Sequence, residues 1–402
     1  MTTSQDPDTA PDWWVYRGLW QRNREPAGAP VPIPEPPPWR RFGLDQLVAP
    51  EDEAGLAPDA PGMPVPPPPP AERTGSWDDH IEVAYLGERK AHDMVNAAIH
   101  LRRPLVVTGP PGTGKTTLAA SVARELGLGP VLRWGITSRS TLKEGLYDYD
   151  VLGRLHDMNL QARGAAGAAG ADGVARERAG AGGAGRAGGS AGAAGSSEFA
   201  DSAESAESAE SAEDIGRYLR LGPLGDALLP RRGPRVLLID EIDKSDVDLP
   251  NDLLHVFETG SYEIPELRRM RNSPVMVLPH DNDERVPVHR GKVRCAQFPL
   301  VILTSNGERE FPPAFRRRCL FLHLSVPEDE RLRKIVEAHV KGFDDSREVR
   351  RLFDTFKKLR ESGTQLSPDQ LINAVQLRIV AQAGLEDLKL IEDTVLHPLT
   401  GA

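Results

Sequence analysis

The stretch Gly109-Pro-Pro-Gly-Thr-Gly114-Lys115-Thr116-Thr117 fits the pattern G-x-x-x-x-G-K-[ST] and lies between an apolar run and a helical one. Its glycines let the backbone turn successive N–H groups toward one polyphosphate, and the helix that follows adds the partial positive charge of its N-terminus. Gly109, Pro110, Pro111, Gly112, Thr113, Gly114, Lys115, Thr116 and Thr117 are therefore the expected phosphate-binding residues. Lys115 would reach the β and γ phosphates, and Thr116 would offer an oxygen to Mg²⁺. A second apolar run, Val236-Leu-Leu-Ile239, ends in Asp240-Glu241-Ile-Asp243. Asp240 at that strand end can hold the water shell of Mg²⁺, and Glu241 is placed to polarise a water in line with the γ phosphate. A merely solvated acidic strand end is the alternative, and the phosphate loop upstream argues against it. A third run ends in Thr304-Ser305-Asn306, where the Asn306 amide can hydrogen-bond both an attacking water and the γ phosphate, although the tripeptide is also ordinary turn chemistry. Arg316, Arg317 and Arg318 then precede a last apolar run. A guanidinium that neutralises transition-state charge is favoured there over a solvated basic turn or a nucleic-acid patch.

These groups need a frame that brings them together. The runs 105–108, 131–136, 236–239, 299–304 and 320–324 lack polar alternation and are separated by helical patterns, as in a parallel sheet buried on both faces. That is an α/β fold with right-handed crossovers. Ala91, Met94, Val95, Ala98 and Ile99 recur at helical spacing before the first strand, and Leu118, Ala119, Val122, Ala123 and Leu126 do so after the loop. Three more helical patterns follow the last strand, on Leu332, Ile335, Val336 and Val340, then Val349, Leu352, Phe353 and Phe356, then Leu371, Ile372, Val375 and Ile379. They make a small helical lid, with capping boxes expected at Ser325-Val-Pro-Glu328 and Ser367-Pro-Asp-Gln370.

The chain has 402 residues, only 39% of them apolar, and its 38 glycines and 36 prolines are clustered. Residues 1–78 form a Pro/Trp-rich arm, expected to be mostly disordered, which holds most of the six tryptophans. Its aromatic residues either dock on a partner or fold back on the chain's own domain. An α/β nucleotide-binding domain spans 79–325, interrupted at 162–213 by a Gly/Ala tract and four Ser-Ala-Glu repeats, a composition expected to stay disordered. The helical lid is placed at 326–390 and a tail at 391–402. A net charge of −10 gives no global attraction to DNA, RNA or an anionic membrane, so a nucleic-acid partner is disfavoured. No apolar run approaches the ~18 residues of a membrane span, and the polar start Met1-Thr-Thr-Ser-Gln-Asp6 is unlike a signal peptide; a cytoplasmic protein is expected. Cys295 and Cys319 have no metal-ligand spacing and read as small core residues.

Taken in order, the phosphate loop, intervening strand, Asp-Glu strand end, Asn strand end, Pro-x-Ala-x-x-x-Arg and helical lid resemble an AAA+ ATPase over about residues 79–385, less the insertion. Tyr85-Leu-Gly-Glu, Gly222-Pro-Leu and the helix Asp248-Leu-Pro-Asn-Asp-Leu-Leu-His-Val-Phe-Glu are most similar to the MoxR-like branch. The resemblance implies a P-loop NTPase sheet ordered 5-1-4-3-2, ATP and Mg²⁺ as cofactors, and a homo-oligomeric ring, usually a hexamer. It further implies chaperone-like remodelling of a protein client, often alongside a von Willebrand factor A domain protein. The site would be completed by a neighbour's arginine, which alignment of Pro312-Pro-Ala314 puts at Arg318, with Arg317 as the near alternative. In the same branch a hairpin such as 274–294 faces the ring axis or a client, and the segment 137–150 lies where a pore-facing insertion begins; the alternative is that both are ordinary surface hairpins. One departure stands out: a sensor arginine commonly follows Ser-Pro, but Asp369 follows Ser367-Pro368 here, so either Arg378 reaches in or that sensor is missing. Two other readings are a nucleotide-gated assembly switch with slow turnover and, on Arg316 to Arg318 and Arg268-Arg-Met-Arg271 alone, a nucleic-acid motor.

Overall fold

The computed structural model describes residues 10–18, 32–42, 89–160, 215–231, 233–268, 274–340, 342–364, 366–381 and 387–397. The insertion expected at 162–213 and most of the arm lie outside the described residues, as do Arg269, Met270 and Arg271.

Helix α1 (Arg89–Leu101) turns Ala91, Val95, Ala98 and Ile99 inward, an i, i+4, i+7, i+8 stripe that covers one side of the sheet. Strand β1 (Leu105–Thr108) leads through the phosphate loop into α2 (Lys115–Glu125), and β2 (Leu132–Gly135) follows. Next come α3 (Leu142–Leu146), β3 (Tyr147–Tyr149), a helix over 151–160, α4, and then β4 (Leu219–Leu221) with α5 (Pro223–Ala227). Beyond them run β5 (Val236–Asp240), α6 (Leu249–Thr259), β6 (Ser261–Glu263), β7 (Val275–Val277), β8 (Val286–Val288) and β9 (Lys292–Arg294). The domain closes with β10 (Leu300–Ser305), α7 (Pro313–Arg318) and β11 (Leu320–His323).

Five strands pair in parallel in the order β11-β1-β10-β5-β2, which is 5-1-4-3-2 when only these strands are counted along the chain. The P-loop NTPase sheet implied by the motifs is thus present. Along each central strand successive residues enter different cores. Val106, Leu237, Ile239, Val301 and Leu303 belong to one, and Leu105, Val107, Val236, Leu238, Leu300 and Ile302 to the other. Burial on both faces is why these runs lack polar alternation. β2 differs, alternating buried Leu132 and Trp134 with exposed Arg133 and Gly135, because it is an edge strand.

β3 pairs with β4, Tyr147 opposite Leu221, so the chain leaves for the insertion and returns from it close to one place. A long excursion that starts and ends together adds little to the entropy of closing the domain. The hairpin read at 274–294 is β7 with β8, whereas β9 turns away to pair with β6. Asp226 on α5 ties that hairpin to the core, since its buried carboxylate accepts from Arg231 Nη2 at 2.5 Å and from the His280 N–H at 2.8 Å.

Among the described arm aromatics, Trp14, Tyr16 and Phe42 fold back on their own domain. Asn96 on α1 accepts from the N–H groups of Val15 (2.7 Å) and Tyr16 (2.9 Å) and donates to Tyr16 O at 2.8 Å, clasping this extended segment as a neighbouring strand would. Trp14, Tyr16 and Phe42 are buried, and the Tyr16 hydroxyl meets Ser121 of α2 at 2.9 Å.

The lid consists of α8 (Asp329–His339), α9 (Arg347–Glu361), α10 (Pro368–Ala381) and α11 (Leu388–Val395) around a separate apolar cluster. Two expectations need correction here. The box at Ser325 does not form: Pro327 disfavours helical backbone at Val326, and the helix starts later with Glu328 as its N-cap. The lid also runs past 390, since α11 crosses that boundary with Ile391 and Leu396 buried. At the other box, Gln370 Oε1 accepts from the Ser367 N–H at 2.9 Å, and Ser367 Oγ accepts from the Asp369 N–H at 3.2 Å.

Candidate functional site

The carboxyl ends of β1, β5 and β10 lie side by side because those strands are adjacent in the sheet, and the chemistry-bearing residues sit on these ends. Open parallel α/β sheets bind ligands at this edge. The loop after β1 needs its glycines for two reasons. Gly109 has φ +151°, and a Cβ there would lie 2.4 Å from Leu324 O; Gly112 has φ +74°, and its Cβ would lie 2.4 Å from Ser367 Oγ at the lid. Thr113 Oγ1 donates to Pro110 O at 2.9 Å, which tightens the turn. Lys115 Nζ donates to Gly109 O at 2.8 Å and Pro110 O at 2.9 Å. Burial lowers the Lys115 pKa, opposed by the nearby carboxylates of Asp243, Asp240, Glu241 and Asp369.

Thr116 and Asp240 face one another, with Thr116 Oγ1 donating to Asp240 Oδ1 at 3.4 Å. Two hard oxygen donors on adjacent elements fit Mg²⁺. A residue that sequence reasoning had not singled out organises the pair: Thr304 Oγ1 donates to Asp240 Oδ1 at 2.5 Å and accepts from the Glu241 N–H at 2.9 Å. The signal for it was a hydroxyl at the end of a buried strand, which becomes informative only once β10 is known to lie beside β5. Glu241 has left-handed backbone, φ +59° and ψ +47°. For a residue with a Cβ such a conformation costs on the order of 1–3 kcal/mol and persists where its surroundings fix it. The Thr304 bond is one such restraint. The Glu241 carboxylate is 42% exposed and accepts from Lys244 Nζ at 2.7 Å.

Asn306 is positioned through its backbone. Asp243 Oδ2 accepts from the N–H groups of Asn306 (2.8 Å) and Glu308 (3.2 Å), so a buried carboxylate just past β5 fixes the loop after β10.

The three arginines stand on α7, whose Phe315 is buried. Arg318 pairs with Glu258 on α6 of the same chain, and its Nη1 donates to Ala314 O at 3.4 Å. Arg316 and Arg317 are exposed, and their side chains have no ion-pair partner among the described residues. Among the described residues, no hydrogen bond joins any of the three to the phosphate loop of its own chain.

Arg378 does not reach in. It is held inside the lid by Asp344 Oδ2 at 2.8 Å and Glu348 Oε2 at 3.4 Å. Asp369 lies at the loop instead, its Oδ2 3.2 Å from where a Gly112 Cβ would be. A carboxylate this near Lys115 opposes an incoming polyphosphate. Asp369→Asn is expected to tighten nucleotide binding by about fivefold, the scale of one screened like-charge contact of about 1 kcal/mol. Titration of a fluorescent ATP analogue measures it, and weaker binding by the variant would contradict this reading.

Cys295 and Cys319 are both buried, and burial pushes each thiol up to about 12, as suits inert core residues. Among the described residues no helix is long and apolar enough to cross a membrane.

Residues 105–147 match the ATPase family associated with various cellular activities (AAA). The match begins at β1 and takes in the phosphate loop, α2, β2 and α3. Among curated proteins none matches the chain. The AAA match and the sheet order support a nucleotide-binding ATPase of the AAA+ type, a family whose members generally form oligomeric rings.

Proposed function

We propose that this chain is a MoxR-like AAA+ ATPase that hydrolyses ATP with Mg²⁺ at the subunit interfaces of a hexameric ring and uses the cycle to remodel a protein partner. The observation that carries the reading is the convergence of Lys115, Thr116, Asp240, Glu241 and Asn306 on one sheet edge, with Thr304 bridging Asp240 and Glu241. In this scheme the loop N–H groups and Lys115 hold the phosphates, exchanging the Lys115 bonds to Gly109 and Pro110 for bonds to the substrate. Thr116 and Asp240 would hold Mg²⁺, which supplies charge neutralisation at the β and γ oxygens. Glu241, once released by Lys244, orients and deprotonates the attacking water, and Asn306 steadies that water. Arg318 or Arg317 of the adjacent subunit stabilises the developing charge.

A protein client is favoured by the surface of α4. Val151, Leu152, Leu155, Met158 and Leu160 are all exposed on this one short helix, Leu152 by 80%. Tyr218 Oη donates to Asp157 Oδ2 at 2.6 Å and so links α4 to the segment leading into β4. Such an apolar patch suits polypeptide rather than nucleic acid. A von Willebrand factor A domain protein, a cytoplasmic setting and the units 1–78 and 79–325 are parts of the same proposal, with the lid from 326 taken through α11. The switch-module reading draws support from the Lys244 contact to Glu241 and from Asp369, both of which would slow turnover.

Chelation tests the metal-dependent part of the scheme. Excess EDTA is expected to stop phosphate release, with activity restored by added Mg²⁺. Turnover that continues without divalent cation would contradict the roles given to Thr116 and Asp240.

A further inference from the structure

Beside the finger helix α7, the arm forms a small socket. Trp39, Arg40, Leu101 and Arg103 line a cavity of about 310 Å³, with Trp39 74% exposed. The socket is built onto the domain. Arg40 Nη1 donates to Phe257 O at 2.5 Å and its guanidinium lies 5.3 Å from the Phe298 ring, while Arg103 Nη2 donates to Arg317 O at 2.8 Å. Two guanidiniums and two exposed apolar side chains ask for a ligand that is apolar at its tip and acidic around it.

The same chain carries such a feature. Between β5 and α6, Asp246-Val247-Asp248 is exposed, Val247 by 64%, with Glu308 and Glu310 also exposed on the loop after β10. This acidic tip precedes the first turn of α6, whereas Phe257 and Glu258, which touch Arg40 and Arg318, belong to its last turn. An eleven-residue helix is about 16 Å long at 1.5 Å per residue, so tip and socket stand at opposite ends of one rigid rod and do not meet within one chain. Complementary patches on different faces of one molecule join copies head to tail, and such contacts close into a ring when the rotation allows.

We propose that the Trp39 socket of one subunit receives the Asp246-Val247-Asp248 tip of the next, so that the N-terminal arm is an assembly element of the ring. The inference rests on the ring reading above and deepens it: the same contact brings Arg317 and Arg318 of one copy toward the Asp240–Glu241 strand end of its neighbour. Apolar and charge complementarity select a second copy of this chain as the occupant. Trp39 takes no part in binding nucleotide.

Sedimentation velocity of the full chain with ATP, over a concentration series, tests it on wild type, Trp39→Ala, Arg103→Asp and the pair Arg103→Asp with Asp248→Arg. Trp39→Ala and Arg103→Asp are expected to raise the concentration needed for assembly about tenfold or more, as loss of a central aromatic or arginine anchor does. The pair should recover much of the loss. ATP binding and the circular dichroism of Trp39→Ala should match wild type, which separates assembly from folding. A Trp39→Ala protein that assembles as wild type does would overturn the socket and leave the ring standing. A wild type that stays monomeric with ATP at every concentration would overturn both.

Discussion

Lys115→Ala is expected to lose ATP binding by a factor of about 100 or more. The ammonium is buried among the loop carbonyls of Gly109 and Pro110, so it is already desolvated and positioned before substrate arrives. Removing one partner of a buried, hydrogen-bonded charge pair costs roughly 2–5 kcal/mol, and each 1.4 kcal/mol is a factor of ten. Lys115 also lies among the carboxylates of Asp240, Glu241, Asp243 and Asp369, so its loss removes a positive charge that offsets them where the phosphates bind. Isothermal titration with ATP measures the effect. A variant that binds as wild type does would remove residues 109–117 from the nucleotide site.

Glu241→Gln is expected to keep ATP binding and reduce turnover by roughly 10²- to 10⁴-fold, the usual contribution of a positioned general base. The two variants are expected to differ because, among the described residues, no hydrogen bond joins Glu241 to the phosphate loop. Its backbone is held by Thr304 in a left-handed conformation and its carboxylate by Lys244, so the amide can take the same place without disturbing the loop. The amide cannot accept the water's proton. Accumulation of ATP-bound protein in a single-turnover experiment would accompany the slow rate. Undiminished hydrolysis would exclude Glu241 from the chemistry.

The sheet and the phosphate loop were legible in the sequence because both are written locally. Five apolar runs without alternation specify strands buried on both faces, and G-x-x-x-x-G-K-T specifies a loop by its own glycines. Asp240 and Glu241 were readable as the end of one such run. Thr304 was not, because its role depends on β10 lying beside β5, a pairing between residues more than sixty apart. Asp243 was hidden for the same reason: its partners are the backbone N–H groups of Asn306 and Glu308. The fate of the arm was open, since Trp14 and Tyr16 sit in a proline-rich context and the side chains that dock them, Asp93, Asn96 and Ser121, lie some eighty or more residues on. Composition alone gave no sign that the first lid helix would begin at Asp329, where Pro327 overrides a good capping pattern. Arg378 stood at a plausible spacing for a sensor, yet acidic neighbours on its own lid hold it there.

Steady-state ATP hydrolysis across a protein dilution series tests the shared site most directly, with wild type, Arg317→Ala, Arg318→Ala and the double variant side by side. The expected result is a specific activity that rises with protein concentration and falls by roughly 10³- to 10⁵-fold in the double variant, the worth of an arginine finger supplied in trans. ATP binding should persist in all four, and the single variants divide the role between the exposed Arg317 and the Glu258-paired Arg318. The contradicting result is equal, slow turnover by all four proteins at every concentration. The site would then be complete within one chain, and the slow nucleotide switch would replace the ring motor.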